Sequence, residues 1–562
     1  MKNFKNTGLI IAVILIVILG AGTASWAFIF NHNESQDFAE KNGDEQKQED
    51  EQDELDEEEK RRLEEQKRQE REKELKEELG EYFVPLPPLE QKNNPPVEAR
   101  GLYLTGHTAG SESRLNEFLD LVEKTELNTL VIDVKDDRGM VTYPSDIEFV
   151  NRTGTNRSAP IGDLSELVEK LHERDIYTIA RVVVFKDDRV VDEHPEWGLQ
   201  RKDGVGVWRD NQNIAWVDPY RKEIWDYNVA VAKEAALKGF REIQFDYVRY
   251  PDNAPRVDKE VDYAGDKPKE EVIAEFIKYA KFRLDEYNVY LSADTFGVIA
   301  TSWGDSDNIG QNWEMIAPLV DYHSPMVYPS HYGPGYFGYS VPDANPRGTI
   351  KQALKDALRR NAPLEDPGKL RPWLQAFTAS WVRGNIFYGP EEIKEQIEAA
   401  YRLGIDEYLL WNSGNNYPED AFIGEEANER LMEKYRQERE EKGLDYKWNN
   451  IEDAADEFLE GVERNRWRDA YFYHSTGFTK DHEDYREWAE TWSNSLESYE
   501  IVGSEQSGER GEVTVSFAWK DTEEEIEEKW DVVKENHVWR VVPSEGFLET
   551  LTEEIEEDDN GR

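Results

Sequence analysis

The amino-acid sequence predicts an α/β protein centred on a (β/α)8 barrel of the TIM type, followed by a small α+β domain. After Ala99, apolar strand-like runs alternate with amphipathic helical stretches, the order of βαβ units around a parallel sheet. Eight strand–helix repeats fit within roughly 330 residues, enough for a barrel with inserted loops. A doubly wound open sheet is the alternative, but no G-x-G-x-x-G turn follows the first run.

Taken in chain order, the first element is an export signal. Lys2 and Lys5 precede an uncharged stretch from Gly8 to Phe30, and about 20 apolar residues suffice to cross a bilayer as a helix. Positive charge before the stretch and acidic sequence after it place the N-terminus (1–7) in the cytoplasm and the bulk outside the cell. The expectation is a single-pass membrane anchor over 8–30. A cleaved signal is the alternative, since Ser25-Trp26-Ala27 fits a small-x-small cleavage site and would release a secreted protein. Residues 31–98 are then read as an acidic tether, either one solvated helix or plain disordered chain, closed by the Pro-containing stretch VPLPPLEQKNNPPVEAR.

The barrel is expected over 99–425. Its strands are RGLYLTG (100–106), TLVIDVKD (129–136), YTIARVVVFKD (177–187), EIQFDYVRYP (242–251), VYLSADTFG (289–297), DYHSPMVYPS (321–330), LRPWLQAFTASW (370–381) and EYLLWNSG (407–414). Between them, RLNEFLDLVEKTE, DLSELVEKLHER, EIWDYNVAVAKEAALKG, EEVIAEFIKYAKFRLDEY, TIKQALKDALRRN and EEIKEQIEAAYRLG carry helical periodicity. A linker helix is assigned to 426–449. Over 450–545, two helical stretches (IEDAADEFLEGVERNRWRDAYFY and DYREWAETWSNSL) precede three strand-like runs, SYEIVGSEQ, GEVTVSFAWKD and EEKWDVVKENHVWRVVP. That order resembles domains similar to nuclear transport factor 2. The last residues, 546–562, read as an acidic tail.

Composition narrows the chemistry. Acidic residues outnumber basic ones 120 to 68, and the net charge of −52 repels phosphate backbones, so nucleic acid is not an expected partner. Cys is absent, which removes disulfides, thiolate metal sites and Cys nucleophiles. The nine His form no H-E-x-x-H or H-x-H pair, and there is no P-loop, dinucleotide fingerprint or G-x-S-x-G elbow. Neither a metal nor a cofactor is expected.

Barrel active sites lie at the C-terminal strand ends, so the inward-facing residues there matter most. In EIQFDYVRYP, strand alternation turns Ile243, Phe245 and Tyr247 toward the helices and Gln244 and Asp246 toward the axis. In VYLSADTFG it turns Leu291 and Ala293 outward and Ser292 and Asp294 inward. Two carboxylates at matching ends of neighbouring strands are what glycosidic cleavage uses, one as nucleophile or base and one as acid. The plainer alternative is that Asp246 pairs with Arg249 and Asp294 accepts backbone hydrogen bonds. On the second run, Asp133 and Lys135 share a face, as a buried ion pair or a substrate contact, with Asp136 and Asp137 beside them. Arg181, inward with Val183 and Phe185, either orients the Asp246 carboxylate or fills the barrel. Tyr328, His331, Trp411 and Asn412 stand where loops would line a sugar cleft.

FDYVRYP at 245–251 resembles the strand-4 signature F-D-Y-x-R-[FY]-P of glycoside hydrolase-like barrel domains from exported bacterial proteins. ARGLYLTG, NTLVIDVKDDRG, LSADTFG and SPMVYPSHY are similar to the same group, and the resemblance covers about 99–425. Relatives with similar barrels cut peptidoglycan strands or amino-sugar exopolysaccharides. The resemblance implies a polysaccharide substrate, with Asp246 as nucleophile or base and Asp294 as the strand-5 acid. This chain departs twice from the better-known barrels: Gln244 stands where they usually carry Arg, and Asp294 where they usually carry Glu. The expected function is a membrane-tethered extracellular glycosidase acting on cell-wall or matrix polysaccharide. A glycan-binding surface protein without catalytic activity is the alternative, and a sugar deacetylase is a third reading.

Overall fold

All eight apolar runs form strands of one parallel barrel in the computed structural model, which describes residues 59–481 apart from 303 and 306, together with 496–520 and 525–552. The chain divides into two units, Met1–Glu70 and Arg71–Arg562. Of the first, residues 59–70 are described, and they are helical. The expected membrane span over 8–30 and the helical stretch from 484 to 495 lie outside the described residues. Among the described residues, no helix is long and apolar enough to cross a membrane.

The strands are β1 (Arg100–Leu104), β2 (Thr129–Lys135), β3 (Tyr177–Val183), β4 (Glu242–Asp246), β5 (Tyr290–Phe296), β6 (Tyr322–Met326), β7 (Trp373–Gln375) and β8 (Tyr408–Trp411). Each pairs in parallel with the next, and β1 pairs with β8, Arg100 opposite Tyr408, so the barrel closes. The seventh strand is split. Lys369–Leu370 pairs with the start of β6, and pairing resumes at Trp373 opposite Met326. Pro372 lies in the gap and has no N–H to give a ladder.

A principal helix follows each strand: α1 (Glu112–Lys124), α2 (Leu164–His172), α3 (Lys222–Leu237), α4 (Lys269–Leu284), α5 (Trp313–Ile316), α6 (Pro346–Asn361), α7 (Pro390–Arg402) and α8 (Glu425–Glu441). Leu115, Phe118 and Leu119 of α1, spaced three and four apart, are buried against the strands. The expected linker helix is thus the barrel's own eighth helix. It buries Met432 and Tyr435 in the barrel core, and Arg439 donates to the carbonyls of Tyr401 and Arg402 at the end of α7.

The tether also proves to be partly barrel. Leu75, Val84 and Leu86 are buried in the same core, and the Tyr287 hydroxyl donates to the carbonyls of Val84 and Pro85. Asn94 donates to the carbonyls of Arg241 and Asn288. The sparse apolar residues of an otherwise charged stretch are the ones that dock, so 71–98 is not a free spacer.

Two parities of strand residue face two cores. Leu102, Leu130, Ile132 and Phe245 pack against the helices, whereas Tyr103, Val131, Tyr177, Ile179, Trp373 and Leu409 fill the barrel. At its N-terminal end a buried ion network closes the interior: Arg371 donates to both oxygens of Glu242 (2.8 and 2.7 Å) and to Glu407 (2.7 Å).

The small domain has one strand more than the sequence suggested. β9 (Leu496–Ser507), β10 (Arg510–Trp519), β11 (Glu525–Glu535) and β12 (Val538–Val542) form an antiparallel meander. The third run is two strands because Asn536 and His537 both take left-handed backbone (φ 46° and 65°), a two-residue hairpin turn that matches strand twist. Helix α9 (Ile451–Glu463) packs Phe458 on Trp530. The expected acidic tail begins later than residue 546: Glu545–Thr552 is helical and buries Phe547 and Leu551 in the domain core.

Candidate active site

Asp246 ends β4. The last register pair between β4 and β5 is Phe245 with Ala293, so Asp246 and Asp294 stand one step further, level with each other on adjacent strands. Asp246 Oδ2 accepts from Arg181 Nε (3.0 Å) and Nη2 (2.5 Å), while Oδ1 accepts from the Tyr247 amide (2.5 Å). That amide is aimed by an unusual backbone. Tyr247 has φ 49°, a left-handed conformation rarely adopted by a bulky residue and often found at functional sites. Ordinary alternation stops there, and Tyr247, expected to face the helices, lines the cavity instead.

Arg181 is the hub. Its Nη1 donates to Asp133 Oδ1 (2.6 Å), and the Tyr103 hydroxyl donates to Asp133 Oδ2 (2.6 Å). The guanidinium lies over the rings of Trp411 (4.9 Å) and Tyr103 (5.5 Å), which stack on each other at 3.9 Å. Burial opposes the charge on Arg181, but the Asp246 and Asp133 carboxylates outweigh it and hold the guanidinium protonated. Burial pushes Asp133 up to about 6, against the pull of Arg181 and Tyr103.

Asp294 is held differently. Its Oδ1 accepts from Trp373 Nε1 (2.7 Å), and no basic side chain hydrogen-bonds it among the described residues. Burial, reinforced by the negative charge of Asp246, raises its carboxyl well above the usual range and favours the protonated form. Two neighbouring carboxyl groups with opposed environments are the arrangement in which one serves as acid and the other as nucleophile or base.

Asp246, Asp294, Arg181, Arg249, Tyr328, His331 and Trp411 line one cavity of about 210 Å³. Burial lowers His331 to about 4 and keeps it neutral, and it raises Tyr328 far enough that its hydroxyl keeps its proton. Arg249 does not pair with Asp246. It pairs with Asp252 (2.5 Å), donates to the Tyr250 carbonyl and lies 4.3 Å over the Phe296 ring.

Three expected site residues lie elsewhere. Lys135 faces the helices, not Asp133, because the β2–β3 register slips between Asp133 and Lys135, and a bulge of this kind reverses the side on which the next residue points. There it pairs with Asp187 (2.7 Å) and donates to Asn228 (2.9 Å). Asp136 closes its own loop, accepting from the amides of Arg138 and Met140. Asn412 lines a separate, larger cavity and spends its amide on the Ala376 and Asn416 carbonyls. Phe185, expected inward, packs on Phe276 of α4, since β3 has ended at Val183. Among the described residues, no three His, Asp or Glu side chains form a group that could hold a metal ion.

Sequence reading missed Tyr103, Trp373 and Phe296. Tyr103 was accessible in principle, as an inward-parity hydroxyl in an apolar run. Trp373 was not, because the break at Pro372 hides the parity of β7.

The family model described as "Putative glycosyl hydrolase domain" matches residues 101–417, which takes in all eight strands and leaves the small domain outside. Among solved structures, a hypothetical protein from Ruminiclostridium thermocellum ATCC 27405 is 43% identical, covering 34% of this chain and 96% of its own, with a TM-score of 0.32. The PgaB (BpsB) glycoside hydrolase domain from Bordetella bronchiseptica is 14% identical over 61% of this chain and 98% of its own, at 0.40. The spore cortex-lytic enzyme SleL of Bacillus megaterium QM B1551 is 13% identical over 60% and 77%, at 0.36. No curated protein matches the chain.

Proposed function

The chain belongs to the family described as "Putative glycosyl hydrolase domain", and from that premise we propose that the 210 Å³ cavity cleaves glycosidic bonds with Asp294 as general acid and Asp246 as nucleophile or base. The observation that carries this reading is the asymmetry of the two carboxyls. Burial and the charge of Asp246 push the Asp294 carboxyl up, while Asp246 is held by a guanidinium. With Oδ1 engaged by Trp373, Asp294 offers a proton from Oδ2 to the glycosidic oxygen. As the C–O bond breaks and the leaving group takes that proton, the Asp246 carboxylate either attacks the anomeric carbon or takes a proton from the water that does. The Tyr328 hydroxyl and the His331 ring have no hydrogen-bond partner among the described residues and are placed to bind sugar hydroxyls.

The substrate we propose is a cell-wall or matrix polysaccharide, peptidoglycan glycan or amino-sugar exopolysaccharide. The proposed location is the outer face of the cell membrane, held by the apolar stretch 8–30. Support for both comes from sequence: the apolar stretch for the anchor, and the strand-4 resemblance for the glycan. A second reading, glycan binding without turnover, is favoured by one observation. Both oxygens of Asp246 are already engaged, which weakens it as a nucleophile.

Product analysis by mass spectrometry separates the two. Shortened glycan chains from the parent, lost in both Asp246→Asn and Asp294→Asn, support the hydrolase. Intact glycan that nevertheless stays bound supports the binding protein.

A further inference from the structure

Next to the carboxylate cavity, on the same end of the barrel, lies a larger one of about 550 Å³. Its walls come from the start of α1, the loop from β7 to α7 and the loop after β8. The two cavities share a partition. Trp411 lines the first and its neighbour Asn412 the second, and Phe377 of the second meets Tyr328 of the first edge to face at 5.6 Å. The smaller cavity falls below the range of about 300–1,000 Å³ typical of ligand pockets, so it has room for little more than the sugar being cleaved.

The loop from β7 to α7 carries two of the most exposed large apolar side chains among the described residues. Trp381 is 67% exposed and Phe387 is 76% exposed. Trp381 stacks on Phe377 with ring centroids 6.0 Å apart and planes 20° from parallel. Phe387 and Phe377 both line the larger cavity, and the Asn416 side chain, which lines it too, is exposed and has no hydrogen-bond partner among the described residues. Aromatic faces left in water beside a cavity that also carries an amide suit a partner with apolar C–H faces and hydroxyl edges. A sugar ring has both.

We propose that the Phe377–Trp381–Phe387 ledge is a subsite for the sugar units beyond the scissile bond, so that the site selects polymer-length glycan over short fragments. This rests on the hydrolase reading only for the direction in which the chain runs. The occupant is the same polysaccharide, because the ledge adjoins the carboxylate cavity across the partition formed by Trp411–Asn412 and Tyr328–Phe377.

The test is binding of a disaccharide and a hexasaccharide from each of two series, β-1,4-linked N-acetylglucosamine and peptidoglycan glycan, to the full chain carrying Asp294→Asn. In at least one series the hexasaccharide is expected to bind about tenfold more tightly than the disaccharide. Trp381→Ala and Phe387→Ala are expected to remove most of that ratio, and Trp381→Tyr to restore it, with thermal unfolding unchanged. No length dependence in either series, or a ratio that survives both alanine variants, overturns the proposal. The hydrolase reading is judged separately, by product analysis on the parent. Length-dependent binding without products would sink the hydrolase and leave the ledge standing. Products with no Trp381 dependence would do the reverse.

Discussion

Arg181 on β3 is the register partner of Gln244 on β4. The better-known sugar-cleaving barrels that this chain resembles usually place an arginine at the Gln244 position, two residues before the carboxylate. Here the guanidinium comes from the next strand at the same level and reaches Asp246 sideways through Nε and Nη2. Gln244 donates to Ser324 across the barrel, at 3.3 Å. What looks in one dimension like a lost residue is, in the barrel, a charge moved by one strand.

The first prediction follows from that exchange. Arg181→Gln leaves Asp246 and Asp133 buried without a counter-charge, and breaking a buried ion pair costs about 3–5 kcal/mol. Turnover is expected to fall by at least about a hundredfold. Adding Gln244→Arg in the same chain should recover about tenfold of that loss. Steady-state kinetics on the two variants check this, and a double variant no better than the single one would refute the exchange.

Asp294 gives a pH prediction with a definite sign. Its carboxyl titrates higher in the folded chain than in the unfolded one, so the fold holds the extra proton. Its contribution to stability is complete below the unfolded value of about 4 and is lost as pH rises through the folded value. Asp294→Asn, which keeps an acceptor for Trp373 Nε1, should therefore gain stability relative to the parent as pH rises from about 4 upward. The same proton is needed for catalysis, so this variant should lose about 10²–10⁴-fold in turnover of native glycan. It should lose the alkaline limb of the rate profile as well. Urea midpoints and rates at matched pH values decide it; a variant whose relative stability does not change with pH would contradict the assignment.

How much of this could be read in one dimension depends on whether the controlling interaction is local. The eight strands were legible because each is a short apolar run, and Asp246 with Asp294 because strict alternation holds up to those residues. Alternation misled wherever the backbone left the regular strand: at the bulge before Lys135, after Val183, and at Tyr247 with its left-handed φ. Each of these depends on what the neighbouring strand does. The docking of Leu75, Val84 and Leu86 failed for the opposite reason, since a few apolar residues in a charged stretch give no period to detect. Helix α8 was seen as a helix but not as part of the barrel, because its partner surface lies on the preceding helix, α7, which no local periodicity links to it.

Lys135 tests the bulge. Lys135→Met leaves the Asp187 carboxylate buried without its ammonium partner, and the loss expected is about 3–5 kcal/mol. Because Lys135 points to the helix side of β2, KM for glycan should stay within about twofold of the parent wherever the variant is folded. Denaturant unfolding and KM measured side by side distinguish this from the substrate-contact role first read from sequence, which requires KM to rise.

The turn at Asn536 carries the last prediction, because it joins the small domain to the barrel. Its side-chain amide donates to the carbonyls of Leu364 (2.8 Å) and Ala362 (3.1 Å), just past the end of α6. The next residue, His537, stacks on Tyr446 at 4.3 Å and accepts from the Tyr446 amide. Asn536 therefore does two things, tolerating a left-handed backbone and docking the hairpin tip, and two substitutions pull these apart. Asn536→Gly keeps the backbone freedom and removes the amide, for a loss of about 1–2 kcal/mol. Asn536→Ala removes both and should cost about 1 kcal/mol more, the penalty of a Cβ in the left-handed region. Denaturant midpoints rank the two, and cleavage by a protease between α8 and α9 reports whether the domains have loosened. Equal losses would mean that docking alone matters. A larger loss in the glycine variant would show that tolerance of the left-handed backbone is not what Asn536 supplies.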